Sequence, residues 1–139
     1  MAEARLRFEL ATPNRLVVSE DVDEVVVPGV QGYFGVLPGH VPFLTSLQSG
    51  EVSYRAGRAE QYLVVSGGFA EVRGDQVIIL AEHAERPEEI DRERAERARQ
   101  RAERRLAGKT DEEIDYARAL AAFSRALARL QIAARAPSR

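Results

Sequence analysis

The feature that most constrains the fold is a change in the spacing of apolar residues near residue 85. Before this point apolar side chains alternate, as from Leu6 to Leu10, or form β-branched runs such as Val25 to Val27, and both patterns are typical of strands. After His83 the spacing becomes that of a helix. Nine of the ten glycines precede residue 86, so the turns that a sheet requires are confined to the first part. The sequence therefore predicts two domains, residues 1–85 and residues 86–139.

The first domain contains turn sequences between its strands. They are Thr12-Pro13-Asn14, Pro28-Gly29, Pro38-Gly39, Ala56-Gly57-Arg58 and Arg73-Gly74-Asp75. Their close spacing predicts hairpins in an all-β sandwich or barrel. A further pair, Gly67 and Gly68, resembles a phosphate-binding loop, but no helix follows it to supply a dipole. We interpret this pair as a bulge or a close approach of two backbones.

The second domain is predicted to be an antiparallel helical hairpin. Its first helix begins at Pro87, carries acidic residues in its first turn, and ends at Gly108 after about Ala107. Thr110 and Glu113 form a capping box for the second helix. The predicted apolar stripes are Ala95, Ala98, Ala102 and Leu106 on the first helix and Ile114, Leu120, Phe123, Leu127 and Leu130 on the second. Because an alanine-rich face provides little core, we expect a mobile element whose position a ligand or a partner shifts.

Composition and motifs argue against catalysis. The 139 residues include no cysteine, which excludes a thiol nucleophile, a thiolate metal site and a disulfide. We interpret His40 as a structural or interface residue and His83 as a solvated strand end, with no metal at either. No motif of serine hydrolases, zinc proteases or phosphate-loop NTPases occurs. Without a signal peptide or an apolar run of ~18 residues, we expect a soluble intracellular protein.

Charge differs between the two domains. Residues 1–85 carry 6 basic and 12 acidic side chains (net −6), and residues 86–139 carry 14 and 10 (net +4). The spacing of several arginines places them on one face of each predicted helix. They are Arg94 and Arg101 on the first helix and Arg118, Arg125 and Arg129 on the second. If the hairpin closes, these guanidinium groups converge on one anion, for which phosphate has the matching geometry.

Two other interpretations of the arginines stay open. One is a solvated face with weak ion pairs such as Glu88 with Arg92 and Glu93 with Arg97. The other is a nucleic-acid surface, although ten acidic residues are interspersed and no aromatic residue lies among the arginines of the first helix. On this basis the alternative function is a free-standing β-sandwich whose basic hairpin binds nucleic acid or an acidic protein.

Two glycine-bearing segments identify a family. The segments Gly32 to Pro42, of the form G-x-x-G-x-L-P-G-H-x-P, and Val65 to Val72, of the form V-S-G-G-F-x-E-V, closely resemble the epsilon subunit of the bacterial F-type ATP synthase. The resemblance covers nearly the whole chain. It implies a β-plus-α fold, with an N-terminal two-sheet antiparallel β-sandwich (1–85) followed by a C-terminal antiparallel helical hairpin (86–139).

The resemblance also implies a function. The chain would be a non-catalytic central-stalk subunit of a proton-translocating enzyme, whose sandwich binds the gamma subunit and the c-ring through Tyr33, Phe34 and His40. Tyr33 stands where many relatives carry glutamate, so the chemistry of the c-ring contact differs here. The subunit would be peripheral to the cell membrane on its cytoplasmic side, would touch the membrane only through the complex, and would bind no nucleic acid.

In this family the hairpin is regulatory. Folded down it permits turnover, and extended into the alpha-beta catalytic hexamer it blocks ATP hydrolysis. Some relatives bind one ATP in the folded hairpin through the motif [IL]-D-x-x-R-A, which is complete here from Ile90 to Ala95. The implied ATP-binding residues are Glu85, Ile90, Asp91, Arg94, Ala95, Arg101, Arg125 and Arg129. The arginines would take the phosphates, and Asp91 and Glu85 would order the adenine side. ATP would be a regulatory ligand, and no cofactor is required.

Overall fold

The chain forms two compact units, residues 1–85 and residues 86–139. A computed structural model describes residues 5–108 and 113–135, with the backbone alone for 113–115.

The first unit is a β-sandwich built from one hydrogen-bonded network. Its strands are β1 (Leu6–Ala11), β2 (Leu16–Val22), β3 (Glu24–Gly29), β4 (Gly32–Val36), β5 (Phe43–Ser46), β6 (Gly50–Ala56), β7 (Ala59–Arg73) and β8 (Gln76–Glu85). The strand order is β2-β1-β8-β7-β6-β3-β4, and β5 pairs with β7. The predicted fold class is confirmed, with one refinement. β1 and β8 pair in parallel, so the sheet is mixed, because these strands are far apart in the chain and no hairpin turn fixes their direction.

Apolar alternation gives the sandwich its core. Leu6, Phe8 and Leu10 are fully buried, while the residues between them, Arg7 and Glu9, are exposed and half-buried, respectively. The ring of Phe8 lies 5.1 Å from the ring of Tyr54, which is also buried. The predicted turns separate strands, except Pro28-Gly29, which ends β3. There the turn lies two residues later, because Pro28 and Gly29 pair with the start of β4.

Two glycines divide the long strand β7. Its first half pairs with β6 and its second half with β5. Between the halves Gly67 and Gly68 have φ angles of 70° and 110°, a region that favours glycine. A Cβ atom on Gly68 would lie 2.0 Å from the carbonyl oxygen of Leu80. The close backbone approach is therefore confirmed, while the pairing with β8 keeps one register on both sides, so the bulge is not observed.

The second unit begins with a 3₁₀ turn, Pro87–Glu89, followed by α1 (Arg92–Ala107) and α2 (Glu113–Ala133). The prediction that the first helix begins at Pro87 is wrong. Ile90 has an extended backbone (φ −80°, ψ 127°), which separates the turn from the helix. Gly108 caps α1 as predicted, because its N–H donates to the Arg104 carbonyl at 2.8 Å. The predicted Thr110–Glu113 capping box lies outside the residues whose side chains are described.

The two helices pack through small residues. On α1 the predicted stripe is confirmed, since Ala95 and Ala102 are buried and Ala98 and Leu106 are half-buried. On α2 the buried residues are Ala119, Ala126 and Ala133, seven residues apart, together with Ala128 and Ile132, and the half-buried Phe123 and Leu130 flank them. Leu120 and Leu127, predicted to be in the stripe, are instead 46% and 38% exposed. The predicted Ile114 is outside the described side chains. The buried alanines that recur every seven residues on the two helices are Ala95, Ala102, Ala119, Ala126 and Ala133. We call them the alanine seam.

Candidate functional site

The motif from Ile90 to Ala95 spans the start of α1. Asp91 is the N-cap of this helix, and its carboxylate accepts the N–H of Arg94 at 3.0 Å. An aspartate at this position satisfies an otherwise unpaired helix N–H and favours the positive end of the dipole. Ile90 and Ala95 are buried, at 8% and 0% exposure. These three residues therefore fix where the helix starts and which face it turns inward.

The structure places the other predicted ATP-binding residues in different surroundings. Glu85 is the last residue of β8 and belongs to the first unit. Arg94, Arg101 and Arg125 are exposed, and Arg129 is half-buried. Three of the four arginines are thus exposed, and they carry the charge that an anionic ligand would meet.

The arginines of both helices lie on the same side of the hairpin. Each of four arginines directly precedes a buried alanine of the seam, in the pairs Arg94-Ala95, Arg101-Ala102, Arg118-Ala119 and Arg125-Ala126. One residue is a rotation of about 100° around a helix, so all four stand at the same angle from the interface. Two antiparallel helices are related by a two-fold axis perpendicular to the plane that contains both helix axes. Residues at the same angle from the interface therefore lie on the same side of that plane, whichever helix carries them. We call this side the arginine face.

Acidic residues of α1 lie on the opposite side. Glu96 and Glu103 each follow a seam alanine, and both pair with Arg99. The hydrogen bond from Arg99 lowers the pKa of Glu96 below its ordinary value, and the same bond raises the pKa of Arg99. These pairs leave the arginine face cationic: within the described part of the chain, Arg94 and Arg101 contact no carboxylate.

The two ion pairs expected for a solvated face have different outcomes. Arg97 lies 4.0 Å from Glu93, and both are exposed, so this pair is present. The expected pair between Glu88 and Arg92 does not form among the described residues. Arg92 instead donates a hydrogen bond to the Ala133 carbonyl at the end of α2.

The predicted rotor residues lie around strand β4. Tyr33 is 55% exposed, and its hydroxyl accepts the N–H of Glu51 at 3.0 Å. Phe34 is half-buried against the core and packs edge to face on Phe43, with ring centres 5.2 Å apart. His40 is half-exposed, and its Nδ1 lies 2.6 Å from the Val41 carbonyl oxygen. Of these three predicted rotor residues, Tyr33 is thus the one whose ring has a large exposed surface.

A row of exposed apolar side chains crosses the outer face of the sandwich. Leu16 pairs with Ala11, Ala11 with Leu80, and Leu80 with Phe69, across β2, β1, β8 and β7. Leu16, Leu80 and Phe69 are each exposed by 57% or 58%. On β1, β8 and β7 the adjacent residues Leu10, Ile79 and Ala70 are buried, as alternation requires. On β2 a register shift next to Ala11 separates the exposed Leu16 from the buried Val18. Contiguous exposed apolar patches are typical of protein-binding surfaces. We call this patch the apolar row. Local sequence patterns do not reveal this row, because its members come from four different strands.

Comparison with known proteins identifies the family. A family model described as "ATP synthase, Delta/Epsilon chain, beta-sandwich domain" matches residues 5–87, and a second, "long alpha-helix domain", matches residues 88–134. The chain is 52% identical over 130 residues to the ATP synthase epsilon chain of Nitratidesulfovibrio vulgaris (strain DP4), covering 94% of this chain and 96% of the relative. The chain belongs to the ATP synthase epsilon-chain family. The resemblance drawn from the two glycine-bearing segments is confirmed.

Other epsilon chains and one solved structure agree. The epsilon chain of Moorella thermoacetica is 53% identical over 131 residues, covering 94% of this chain and 97% of its own length. A chain of the Euglena gracilis mitochondrial ATP synthase, in a structure titled OSCP/F1/c-ring, superimposes with a TM-score of 0.81 at 25% identity, covering 95% of this chain and 82% of the other. These comparisons do not favour the alternative of a free-standing nucleic-acid-binding sandwich.

Over residues 5–108 and 113–135, no cluster of three potential metal-ligating side chains occurs. Among those same residues, no helix has both the length and the apolar character needed to cross a membrane.

Proposed function

We propose that this epsilon chain is a non-catalytic central-stalk subunit of a proton-translocating ATP synthase, on the cytoplasmic side of the cell membrane. Its sandwich links the gamma subunit to the c-ring, and its hairpin senses ATP and inhibits ATP hydrolysis. The observation that carries the regulatory part is the arginine face, to which both helices contribute. An anion that bridges the two helices binds only when they lie side by side.

ATP binding favours the closed hairpin in this proposal. Guanidinium groups of Arg94 and Arg101 on α1, with Arg125 and Arg129 on α2, bind the phosphates. Extension of the hairpin separates the two sets, which then meet acidic groups of the alpha-beta hexamer. A ligand that binds the closed form alone stabilises it by RT ln(1 + [L]/Kd), about 2.7 kcal/mol at a hundredfold excess over Kd. High ATP therefore holds the inhibitor down, and falling ATP releases it.

Calorimetry on the isolated full-length subunit tests the ATP site. We expect the double variant Arg94→Gln/Arg125→Gln to weaken ATP binding at least tenfold, because each guanidinium contact with a phosphate contributes more than about 1 kcal/mol. The matched control is Arg97→Gln/Arg104→Gln, which removes the same charge from exposed positions of α1 outside the arginine face. Equal weakening in both variants, or no ATP binding by the wild type at millimolar concentration, would contradict the proposal.

Asp91 requires a conservative substitution because it caps α1. Alanine would remove the N-cap and cost about 1 kcal/mol of helix stability, which would confuse folding with binding. Asparagine also caps helices but carries no charge. Asp91→Asn should therefore leave the helix content unchanged by circular dichroism, and a change in ATP affinity would then report a contact between the carboxylate and the ligand.

The apolar row supports a docking surface for gamma, and the surface around Tyr33, Phe34 and His40 supports the contact with the c-ring. We expect Phe69→Ser to weaken binding to a complex of gamma and the alpha-beta hexamer purified without epsilon by at least tenfold. Val30→Ser, which changes a side chain of similar exposure (55%) between β3 and β4, should change this affinity less than twofold. If both variants bind equally well, the apolar row is not the gamma-binding surface.

A further inference from the structure

Neighbouring residues cap two different helices where the hairpin begins and ends. Asp91 caps the N-terminus of α1 through the Arg94 N–H. The next side chain, Arg92, reaches across to α2 and donates to the carbonyl oxygen of Ala133, the last residue of that helix. A single dipeptide therefore holds the first turn of one helix and the last turn of the other.

The end of α2 needs such a donor. The last four carbonyl groups of a helix have no partner within it, and a cation there also interacts favourably with the helix dipole. α1 supplies its own cations, because Arg104 and Arg105 lie in its last turn. α2 has no basic residue in its last turn. The guanidinium of Arg92 thus brings a cation from α1 to the carbonyl of Ala133, while the N–H groups of Ala134 and Arg135 donate to the carbonyls of Leu130 and Ile132.

We propose that Arg92 is a positioning residue that latches the hairpin closed. Its hydrogen bond exists only when the start of α1 and the end of α2 lie together, so it stabilises the closed form and not the extended one. It also fixes the register in which α1 and α2 face each other. This register sets which arginines of the two helices stand opposite on the arginine face.

The latch has a consequence for ATP that rests on the proposed function. When the binding-competent form is only a fraction of the population, the apparent Kd rises by the inverse of that fraction. If the wild-type hairpin is mostly closed, loss of the latch changes ATP affinity little. If it is mostly extended, the affinity falls by the same factor as the closed population. The latch itself is measured without ATP, so failure of ATP binding would refute the proposed function and leave this test intact.

The test uses cysteine reactivity in a chain that has no native cysteine. Ala126→Cys places a thiol in the alanine seam, where the native side chain is 2% exposed. Its reaction rate with a soluble thiol reagent, divided by the rate at the exposed position Ser124→Cys, measures the open fraction of the full-length subunit. We expect Arg92→Gln to raise this ratio five- to tenfold, the effect of losing one hydrogen bond to a charged group at a partly exposed site.

Two further variants separate the latch from simple charge. Arg97→Gln removes an identical charge from the same helix at a side chain that is 64% exposed, and it should change the ratio less than twofold. Arg92→Lys keeps the charge and a donor, and it should give a ratio between the wild type and Arg92→Gln. An unchanged ratio in Arg92→Gln, or an equal rise in Arg97→Gln, would overturn the proposal. If Arg92→Gln loses helix content by circular dichroism, the lysine variant decides: a ratio above the wild-type value in a folded lysine variant supports the latch, and a wild-type ratio overturns it.

Discussion

Enlarging one residue of the alanine seam should open the hairpin. Each buried seam alanine contributes at most about 0.8 kcal/mol through its methyl group. Five such residues, Ala95, Ala102, Ala119, Ala126 and Ala133, therefore supply at most about 4 kcal/mol. Replacing Ala102, which is 2% exposed, by leucine adds three carbon atoms to a packed interface. Overpacking of this kind costs about 1 to 3 kcal/mol, so the ratio of open to closed hairpin should rise about 5- to 150-fold.

Pulsed electron paramagnetic resonance can measure this ratio in the full-length subunit. Spin labels at Gln100→Cys and Ser124→Cys, both exposed and on different helices, report the separation of α1 and α2. The matched control is Ala121→Leu, the same substitution at an exposed position of α2, which should keep the wild-type distance. If Ala102→Leu also keeps that distance, or if the control opens equally, the alanine seam does not control closure.

Three further predictions concern the sandwich and the division of the chain. Gly68→Ala should lower the free energy of unfolding of the sandwich, measured in urea, by at least 2 kcal/mol more than Gly74→Ala does. Both glycines have positive φ, which costs alanine about 1 kcal/mol of strain, but of the two only Gly68 has backbone atoms within 4 Å of a new Cβ, which adds a steric cost. Equal losses in the two variants would contradict this. The hydrogen bond from the Gly57 N–H lowers the pKa of Asp23 below its ordinary value. Asp23 therefore stabilises the sandwich above its unfolded pKa and loses this effect as pH falls through the lower folded value. Asp23→Asn should flatten the dependence of stability on pH between about 5 and 2, and an unchanged slope would refute it. Removal of residues 86–139 should leave a folded sandwich that still binds gamma, and it should raise the rate of ATP hydrolysis by the assembled enzyme. An unchanged rate of hydrolysis would contradict the proposal that the hairpin is inhibitory.

Local patterns predicted most of the sandwich. Alternation placed Leu6, Phe8 and Leu10 in the core, and turn sequences separated the strands. The parallel pairing of β1 with β8 could not be predicted, because it joins segments about 70 residues apart and the local sequence of a strand does not indicate which strand it pairs with. The apolar row was missed for the same reason, since Leu16, Leu80 and Phe69 become neighbours only through cross-strand register.

The hairpin shows where two simple rules fail. Pro87 and the acidic residues after it are typical of a helix start, but they form a 3₁₀ turn, and the N-cap is Asp91. Leu120 and Leu127 were placed in the interface because they are the larger apolar residues. Alanines seven residues apart on both helices allow the backbones to approach closely, and the leucines then lie about 100° away, outside the interface.

The arginine face was predictable in part. The sequence spacing showed that Arg94 and Arg101 share one side of α1 and that Arg118 and Arg125 share one side of α2. It did not show that the two sides coincide, because that depends on which residues face the partner helix. The repeated dipeptide Arg-Ala, seven residues apart on each helix, contained this information once the alanines were known to be buried.

Small residues at the helix interface also suit the proposed regulation. A switch responds to a ligand only when the ligand's differential binding free energy is comparable to the difference between the two states. An alanine seam worth at most about 4 kcal/mol, partly offset by contacts of the extended form, lies within range of the ~2.7 kcal/mol that ATP provides at a hundredfold excess over Kd. Leucines at the same positions would bury more apolar surface and hold the closed form regardless of ATP. The weakness of the seam is therefore a requirement of the switch, and the latch at Arg92 adjusts its balance without adding apolar contacts.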